Sequence, residues 1–279
     1  MTCIDLHIHT TASDGTDTPR AAVEKAAALG LAAISITDHD SVSGVPEAVR
    51  AGAELGVEVV PGIEVSSDYR DNNVHILGYF IDPESPALRP VLDWVKIERD
   101  ERNEKIADMF RRDGFDISIE QLREEYPDSV LGRPHFCEHL MRKGYIASVK
   151  EGFDRYLGEG KPYYLPKRRI SIARAVETIA AAGGVPVLAH PWQYHYPEAE
   201  TAEMIETAKA LGVRALEAYY SEFSAEQTAW LLRAAEKYGM GVSGGSDYHG
   251  TRKVHISMGT GCGNLRIPYA VLEELKKLR

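Results

Sequence analysis

Apolar residues along the chain fall into short runs that alternate with longer segments of helical periodicity. Seven runs rich in valine, isoleucine and leucine predict β-strands at 3–8, 31–37, 57–65, 74–80, 185–189, 213–219 and 240–246. Five segments with helical spacing predict helices at 18–30, 45–56, 171–184, 202–212 and 224–239. Several of these helices end at glycine, which accepts the left-handed conformation of a helix C-cap. The alternation predicts a parallel β/α architecture.

Residues 85–168 break this alternation. Their pattern predicts helices at 88–114, 117–126, 133–144 and 148–158, with no strand between them. We therefore expect a helical insertion at 85–168 between two parts of a β/α fold, 1–84 and 169–279.

Composition and charge exclude several kinds of protein. The net charge of −10 disfavours binding to duplex nucleic acid, which needs a dense basic face, but it allows a small anionic substrate. The sequence has no apolar run of about 18 residues and no basic and apolar leader at its N-terminus, so we expect no membrane span and a cytoplasmic location. Cys3, Cys137 and Cys262 are odd in number and far apart, which disfavours a disulfide framework or a zinc–thiolate site.

Histidines and acidic residues recur where the predicted strands end. The histidines at strand ends or turns are His7, His9, His39, His75, His135, His190 and His249, and the acids are Asp14, Glu64 and Asp247. In β/α barrels the C-terminal strand ends build the active site, so these side chains are expected to converge. Imidazole and carboxylate ligands suit Zn²⁺, Mn²⁺, Fe²⁺ or Co²⁺ without separating them. A lone histidine at a strand end is more often structural, but a cluster of them favours a metal centre.

Six motifs, taken in order, resemble the PHP (polymerase and histidinol phosphatase) family: DLHIHTTASDG, ITDHDSVSG, PGIEVS, VHILGYF, LAHP and GGSDYH. The resemblance spans nearly the whole chain. It implies a distorted (βα)7 TIM-like barrel at 1–84 and 169–279 that carries the metal site, with the helical subdomain inserted at 85–168. We expect two or three divalent metals, manganese first, with zinc, iron or cobalt as alternatives.

The resemblance also implies which residues hold each metal. His7 and His9 would hold one metal together with Glu64 and Asp247. Glu64 would bridge to a second metal held by His75 and His190, and Asp14, His39 and His249 would hold a third. A bridging water held by the first group would be the nucleophile, because water bound to such metals ionises near neutral pH. The general acid is either a metal-bound water or His135, and Asp40 either orients His39 or caps a turn.

Cationic and polar residues of the insertion are candidates for substrate contacts. They are Arg99, Arg102, Asn103, Arg133, His135, Lys167 and Arg168, with Arg169 beside them. Arginine suits bidentate phosphate contact, although each residue alone is explained as well by a solvated ion pair. Arg133 precedes a helix whose N-terminus favours anions. Tyr163, Tyr164, Trp192, Tyr194 and Tyr196 are open between base stacking and packing.

The insertion resembles that of one PHP subgroup, the 3′,5′-nucleotide bisphosphate phosphatases and 5′-phosphate-dependent exoribonucleases. This implies that the metals hydrolyse a 3′-phosphoester while the insertion binds the 5′-phosphate. We expect conversion of adenosine 3′,5′-bisphosphate to AMP and phosphate. The alternatives are a 5′–3′ exoribonuclease on short RNA, a histidinol-phosphate-type phosphatase, an amidohydrolase, or a non-catalytic metal-binding module. The expected partner is a small phosphorylated nucleotide or RNA end, with no duplex nucleic acid, no membrane and no obligate protein partner.

Overall fold

The computed structural model describes residues 2–127 and 129–279, over which nine strands and ten α-helices form. The strands are β1 (Cys3–Ile8), β2 (Ala33–Ile36), β3 (Glu58–Tyr69), β4 (Asn72–Tyr79), β5 (Ile170–Ser171), β6 (Val185–Leu188), β7 (Ala215–Tyr220), β8 (Gly241–Gly245) and β9 (Ile267–Pro268). The helices are α1 (Pro19–Ala28), α2 (Val45–Leu55), α3 (Arg89–Arg112), α4 (Ile119–Glu125), α5 (Arg133–Arg142), α6 (Val149–Gly152), α7 (Ile172–Ala181), α8 (Glu198–Ala210), α9 (Ala225–Tyr238) and α10 (Ala270–Lys276). A π-helical turn spans Phe153–Leu157, and 3₁₀ helices span Pro191–Tyr194 and Gly250–Lys253.

The predicted elements of the barrel are present, and the predicted fold class is confirmed. All seven predicted strands form, and β3 continues to Tyr69, beyond its predicted end. The short strands β5 and β9 were not predicted, because two residues are too few to produce a recognisable apolar run.

One compact unit contains residues up to Leu92 together with Arg169–Arg279. Its sheet has the strand order β8-β7-β6-β4-β3-β2-β1-β9, with β5 paired to β3. The sheet closes almost completely, because the ends of β1 and β8 are joined by two backbone hydrogen bonds. The amide of His9 donates to the Tyr248 carbonyl at 2.9 Å, and the amide of Asp247 donates to the His7 carbonyl at 2.9 Å.

Helices cover this sheet with small and branched apolar side chains. Ala22 and Ala48, on α1 and α2, pack with Ile34 and Ile36 of β2 in one core cluster. Ile179 of α7 and Ile205 of α8 belong to a second cluster that also includes side chains of β3 and β4. Burial of these side chains is the main favourable contribution to folding, and it fixes the ends of the strands that carry the polar cluster described below.

Strand β4 departs from the expected parallel arrangement. It pairs antiparallel with β3 on one side and with β6 on the other. A tight turn through Arg70 and Asp71, with φ of 51° and 65°, joins β3 to β4. Two residues can join only antiparallel strands, because a parallel crossover needs a dozen residues or more. The reversal brings the start of β4, and not its end, to the rim where the other strands end.

The second compact unit contains Asp93–Arg168 and has its own core. Phe110 of α3 and Tyr163 stack face to face, with their ring centroids 3.8 Å apart. Phe136 and Leu140 of α5 are completely buried in the same cluster. The helices here follow the predicted segments closely, whereas the division of the chain at 85–168 and its role in substrate contact stay predictions.

In the part of the chain that the structure describes, no helix combines the length and the apolar character needed to cross a bilayer.

The closure of the barrel predicts a stability effect at Gly245. A Cβ at this position would lie 2.3 Å from both the backbone nitrogen and the Cβ of His7. We expect Gly245→Ala to lower the free energy of unfolding by about 1–3 kcal/mol, because β8 has to move away from β1. Urea unfolding followed by circular dichroism measures this loss.

Gly132→Ala is the matched control, because its Cβ would meet nothing closer than 3.7 Å and its φ is −145°. Equal unfolding midpoints for the two variants would contradict the tight contact between β8 and β1.

Candidate metal centre

The structure brings the nine predicted ligands together at the rim of the barrel. Most follow the C-terminal end of a strand, whereas His7 lies within β1 near its end, Glu64 lies within β3 and His75 lies near the start of β4. The nine are His7, His9, Asp14, His39, Glu64, His75, His190, Asp247 and His249, which form overlapping groups suited to a metal ion. Their roles as ligands are developed as a proposal below.

The first group surrounds the two histidines of β1. Nε2 of His7 lies 3.1 Å from Nε2 of His9. Oδ1 of Asp247 lies 3.2 Å from Nε2 of His9 and 3.5 Å from Nε2 of His7. Oε2 of Glu64 lies 3.2 and 3.4 Å from the same two nitrogens. Two imidazoles and two carboxylates therefore point at one small volume.

The second group uses the other oxygen of Glu64. Oε1 lies 2.8 Å from Nδ1 of His75 and 3.0 Å from Nε2 of His190. These two nitrogens are 3.3 Å apart. The carboxylate of Glu64 thus directs one oxygen to each group, which is the arrangement of a bridging ligand.

The third group contains Asp14, whose carboxylate faces the cluster. Its Oδ1 lies 3.4 Å from Nε2 of His249 and 3.7 Å from Nδ1 of His9. The ring of His9 also lies close to that of His39, with centroids 4.4 Å apart. Nδ1–H of His249 donates to the Asp247 carbonyl at 2.8 Å, which leaves its Nε2 for the group. His9 presents Nε2 to the first group and Nδ1 to the third.

The donor set fits divalent cations. Among the described residues, no hydrogen-bond partner of acceptable geometry meets Oε2 of Glu64 or Nδ1 of His9, although both atoms are buried. A buried polar atom without a partner is costly, and a cation bound there removes that cost. Nitrogen and oxygen ligands of this kind suit the divalent transition metals.

Burial and the neighbouring charges shift the pKa values of the residues in the cluster. Burial alone would raise the pKa of Asp14, yet His249 and His39 hold it well below its usual range. Burial alone would lower the pKa of His9, yet Asp247 and Glu64 raise it to about 9. Burial is the main reason why the pKa of His75 falls to about 4. Asp14 therefore stays ionised beside a protonated His9, whereas His75 stays neutral, which is the form of imidazole that binds a metal.

Glu217 fixes two of the ligands from behind. It is completely buried on β7, and its Oε1 accepts a hydrogen bond from Nδ1 of His7 at 2.8 Å. Its Oε2 accepts the backbone N–H of His190 at 2.8 Å. The first bond fixes the tautomer of His7 that directs a lone pair of Nε2 at the group. The sequence analysis missed Glu217, although a lone acid in an apolar strand was a usable signal.

Two further buried carboxylates hold the loops that carry ligands, and the sequence analysis missed both. Asp5 accepts the backbone N–H and the hydroxyl of Ser246 at 2.8 and 2.6 Å, next to Asp247. Asp38 accepts the backbone N–H and the hydroxyl of Thr10, both at 2.7 Å. Asp40 accepts the backbone N–H of Ser66 at 2.8 Å and thereby ties the loop after β2 to β3.

A cavity of about 280 Å³ opens beside the cluster in the barrel unit. Its lining residues are His39, Glu64, Asn73, His75, His190, Gln193, Tyr194, Tyr220, Glu222, Asp247, His249 and Lys253. Oδ2 of Asp247, the oxygen that faces away from the first group, accepts the hydroxyl of Tyr220 at 2.7 Å and the ammonium of Lys253 at 2.5 Å. The sequence analysis did not identify Tyr220 as a member of the site, nor Lys253.

The predicted substrate contacts of α3 lie within the second unit, which is described here by itself. Arg99 and Asn103 are buried, and Asn103 donates to the Leu131 carbonyl at 2.9 Å. Arg102 donates to the side-chain oxygen of Asn103 at 3.2 Å. Arg168 is exposed and pairs with Glu98 at 2.7 Å, whereas Lys167 is half-buried. Their substrate roles stay predictions.

Arg133 and His135 open α5 in the same unit. Nη1 of Arg133 donates to the Leu157 carbonyl at 3.1 Å, and its guanidinium lies over the rings of Phe153 and Tyr164. Burial lowers the pKa of Arg133. Nδ1 of His135 accepts the backbone N–H of Gly132 at 3.0 Å, so this histidine caps the helix.

The aromatic candidates for base stacking divide by environment. Tyr163 packs on Phe110 in the core of the second unit, and Trp192 contacts the edge of Trp230 with centroids 5.0 Å apart. Tyr194 lines the cavity of the barrel unit, where its hydroxyl donates to the Ala189 carbonyl at 3.0 Å. Packing therefore accounts for Tyr163 and Trp192, whereas Tyr194 also borders the site.

Comparison with known sequences shows which proteins this chain resembles. A family model described as the PHP domain matches residues 5–176. A 5′–3′ exoribonuclease of Haemophilus influenzae is 32% identical over 88% of this chain and 89% of its own length. A 3′,5′-nucleoside bisphosphate phosphatase of Chromobacterium violaceum is 33% identical over 89% of this chain and 88% of its own. A 5′–3′ exoribonuclease of Escherichia coli is 30% identical over 88% and 84%.

Solved structures resemble the whole chain. A candidate metal-dependent phosphoesterase of Bifidobacterium adolescentis superposes with a TM-score of 0.87 and 28% identity, over 98% of this chain and 95% of that one. A Chromobacterium violaceum protein described as an amidohydrolase, with bound sulfate and no metal, superposes with the same TM-score and 30% identity, over 99% and 96%.

The contacts of Glu217 predict a role in metal binding. In Glu217→Gln the new amide N–H₂ can donate to Nδ1 of His7. The ring proton then lies on Nε2, which has no lone pair left for a metal in the first group. We expect metal affinity to fall by about 10- to 100-fold, the usual range for an outer-sphere partner. Titration of the metal-free protein with Mn²⁺ against a chelating indicator measures this change. Glu236→Gln on the exposed surface of α9 is the charge-matched control, and equal affinity in both variants would contradict the role of Glu217.

Proposed function

This chain belongs to the PHP domain family, and from this premise we propose that its metal centre hydrolyses the 3′-phosphate of nucleoside 3′,5′-bisphosphates. It is a metal-dependent hydrolase of phosphate esters, and a small phosphorylated compound is its substrate. The finer proposal is that adenosine 3′,5′-bisphosphate gives AMP and inorganic phosphate.

One observation carries the proposal most directly. The two oxygens of Glu64 face separate sets of imidazole nitrogens within 3.4 Å, and the cavity opens beside them. Oε1 faces His75 and His190, and Oε2 faces His7, His9 and His39. We propose His7, His9, Asp14, His39, Glu64, His75, His190, Asp247 and His249 as ligands of two or three divalent ions, with manganese as the first candidate. Such ions supply a hydroxide nucleophile at neutral pH and neutralise the charge of a phosphoryl group.

The protein's own residues prepare the site for this chemistry. Glu217 and the carbonyl of Asp247 fix the tautomers of His7 and His249, so that both rings present Nε2 to the ions. Asp5 and Asp38 hold in place the loops that follow β8 and β1, because they accept hydrogen bonds from the backbone N–H groups of Ser246 and Thr10. A preorganised site avoids rearrangement when charge develops on the phosphate.

The names of similar proteins support a phosphorylated nucleotide or RNA end as the substrate class. The bisphosphate phosphatase and the exoribonucleases are similar to this chain at 30–33% identity over most of their length. These relatives support both a mononucleotide and a short RNA end as substrate, so 5′–3′ exoribonuclease activity is the second candidate. We place the bisphosphate first because a chain of net charge −10 has little basic surface for a longer polyanion.

The amidohydrolase alternative is disfavoured by the ligand set. Glu64 occupies the bridging position, where such enzymes use a carbamylated lysine, and Asp14 and His249 enlarge the cluster. A histidinol-phosphate-type phosphatase is distinguished only by substrate. Arg99, Arg102, Asn103, Arg133, His135, Lys167 and Arg168 remain proposed contacts to the second phosphate.

Removal of the metals tests the proposed centre. We expect dialysis against EDTA to abolish phosphate release, and Mn²⁺ to restore it, because the buried carboxylates have no other source of divalent charge. The double variant His7→Ala with His9→Ala should not regain activity on addition of Mn²⁺. Bound metal, measured by plasma mass spectrometry, should fall in parallel. Full activity of the double variant would rule out the proposed centre.

A substrate screen tests the second phosphate. We expect adenosine 3′,5′-bisphosphate to release one phosphate and 3′-AMP to react much more slowly, because 3′-AMP lacks the 5′-phosphate. Arg133→Ala should raise KM for the bisphosphate by an amount equivalent to about 1–3 kcal/mol, with a smaller change in kcat. Malachite-green detection of released phosphate measures both constants.

Arg123→Ala, an exposed arginine of α4, is the matched control. Equal turnover of 3′-AMP and the bisphosphate would contradict recognition of the 5′-phosphate. Histidinol phosphate and short RNA with or without a 5′-phosphate complete the screen, since preferential turnover of either would replace the first candidate.

A further inference from the structure

The cavity beside the cluster contains a cation that the metal-ligand set does not use. Among the described residues that line it, Lys253 is the one lysine or arginine, whereas Glu64, Glu222 and Asp247 are acidic. A phosphate monoester brings up to two negative charges into this acidic cavity. A fixed ammonium at its wall reduces the repulsion between the phosphate and the carboxylates.

The local structure holds Lys253 in place. It ends the 3₁₀ helix Gly250–Lys253, which begins directly after His249. Gly250 has a φ of 67° and lies so close to Thr16 that a Cβ would overlap the Thr16 hydroxyl. The amide of Thr251 donates to that hydroxyl at 2.9 Å. The segment is therefore fixed to the same loop that carries Asp14.

The ammonium of Lys253 has N–H donors that can bind a ligand. It contacts Oδ2 of Asp247 at 2.5 Å, and no further partner occurs among the described residues. An ammonium has three N–H donors, so two remain. The side chain is 32% exposed, and it lines the cavity.

The hydroxyl of Tyr220 contacts the same carboxylate oxygen as the ammonium of Lys253. It donates to the same Oδ2 of Asp247 at 2.7 Å, so this oxygen keeps a donor when the lysine turns toward another anion. Asp247 directs its other oxygen to His7 and His9. The lysine can thus serve a ligand in the cavity while Asp247 stays in position.

We propose that Lys253 binds a non-bridging oxygen of the phosphoryl group that is cleaved at the metal centre. This inference rests on the proposed function and adds to it a phosphate contact that comes from the barrel unit. Lys253 would touch both the substrate and the inorganic phosphate product.

Binding of inorganic phosphate tests the contact without relying on turnover. In Lys253→Met protein loaded with Mn²⁺, isothermal titration should show the Kd for inorganic phosphate rising by about 10- to 100-fold, the range for loss of a charged hydrogen bond. KM for the nucleotide should rise as well, and Lys253→Arg should recover part of both losses. Metal content, measured by plasma mass spectrometry, should equal that of the unaltered protein.

Lys277→Met is the control, because this lysine is exposed and pairs with Glu274 on the last helix. Unchanged phosphate affinity in Lys253→Met would overturn the inference. A loss of bound metal that accounts for the weaker phosphate binding would also overturn it, since Lys253 would then only position Asp247. If the unaltered protein binds phosphate through Lys253 but hydrolyses no nucleotide, the proposed function fails and the contact stands.

Discussion

The carboxylate of Glu64 is the interaction on which the rest of the site depends. It is completely buried. Its Oε1 faces His75 and His190, and its Oε2 faces His7, His9 and His39. A charge in this position is stable only if cations surround it, because burial of an isolated carboxylate costs many kcal/mol. Backbone pairing holds β3 in place at Glu64, which is paired with Leu77 of β4 on one side and forms an isolated bridge with His39 on the other. The polar cluster and the closed sheet therefore stabilise one arrangement.

Much of the fold follows from local pattern. The apolar runs locate the seven principal strands, because burial on the sheet requires branched apolar side chains whatever the strand direction. The direction of β4 could not be predicted from the sequence, because an apolar run has the same pattern in a parallel and an antiparallel strand. The turn at Arg70 and Asp71 also lacks the glycine that usually marks a hairpin. The helices of the second unit were recognisable because their apolar spacing is helical throughout.

The candidate ligands were recognisable because imidazole and carboxylate residues recur at the strand ends. The residues that hold them were not. Glu217, Asp5 and Asp38 act through hydrogen bonds to residues distant in the chain, and sequence spacing carries no information about such contacts. Lys253 was overlooked for a related reason, since its place at the cavity depends on a turn that packs against Thr16. The predicted cationic contacts lie in the insertion and at Arg169 beside it, whereas Lys253 lies far from both in the sequence.

The reversed direction of β4 has a consequence for the order in which the centre is assembled. Glu64 and His75 are close in sequence, and the hairpin of β3 and β4 brings their side chains together. This part of the cluster can therefore form from a short stretch of nascent chain. The other half joins His7 and His9 to Asp247 and His249, which come from opposite ends of the chain. The centre is therefore incomplete in a nascent chain that still lacks the C-terminal strands. It can bind its full set of metals only after the whole barrel has been synthesised.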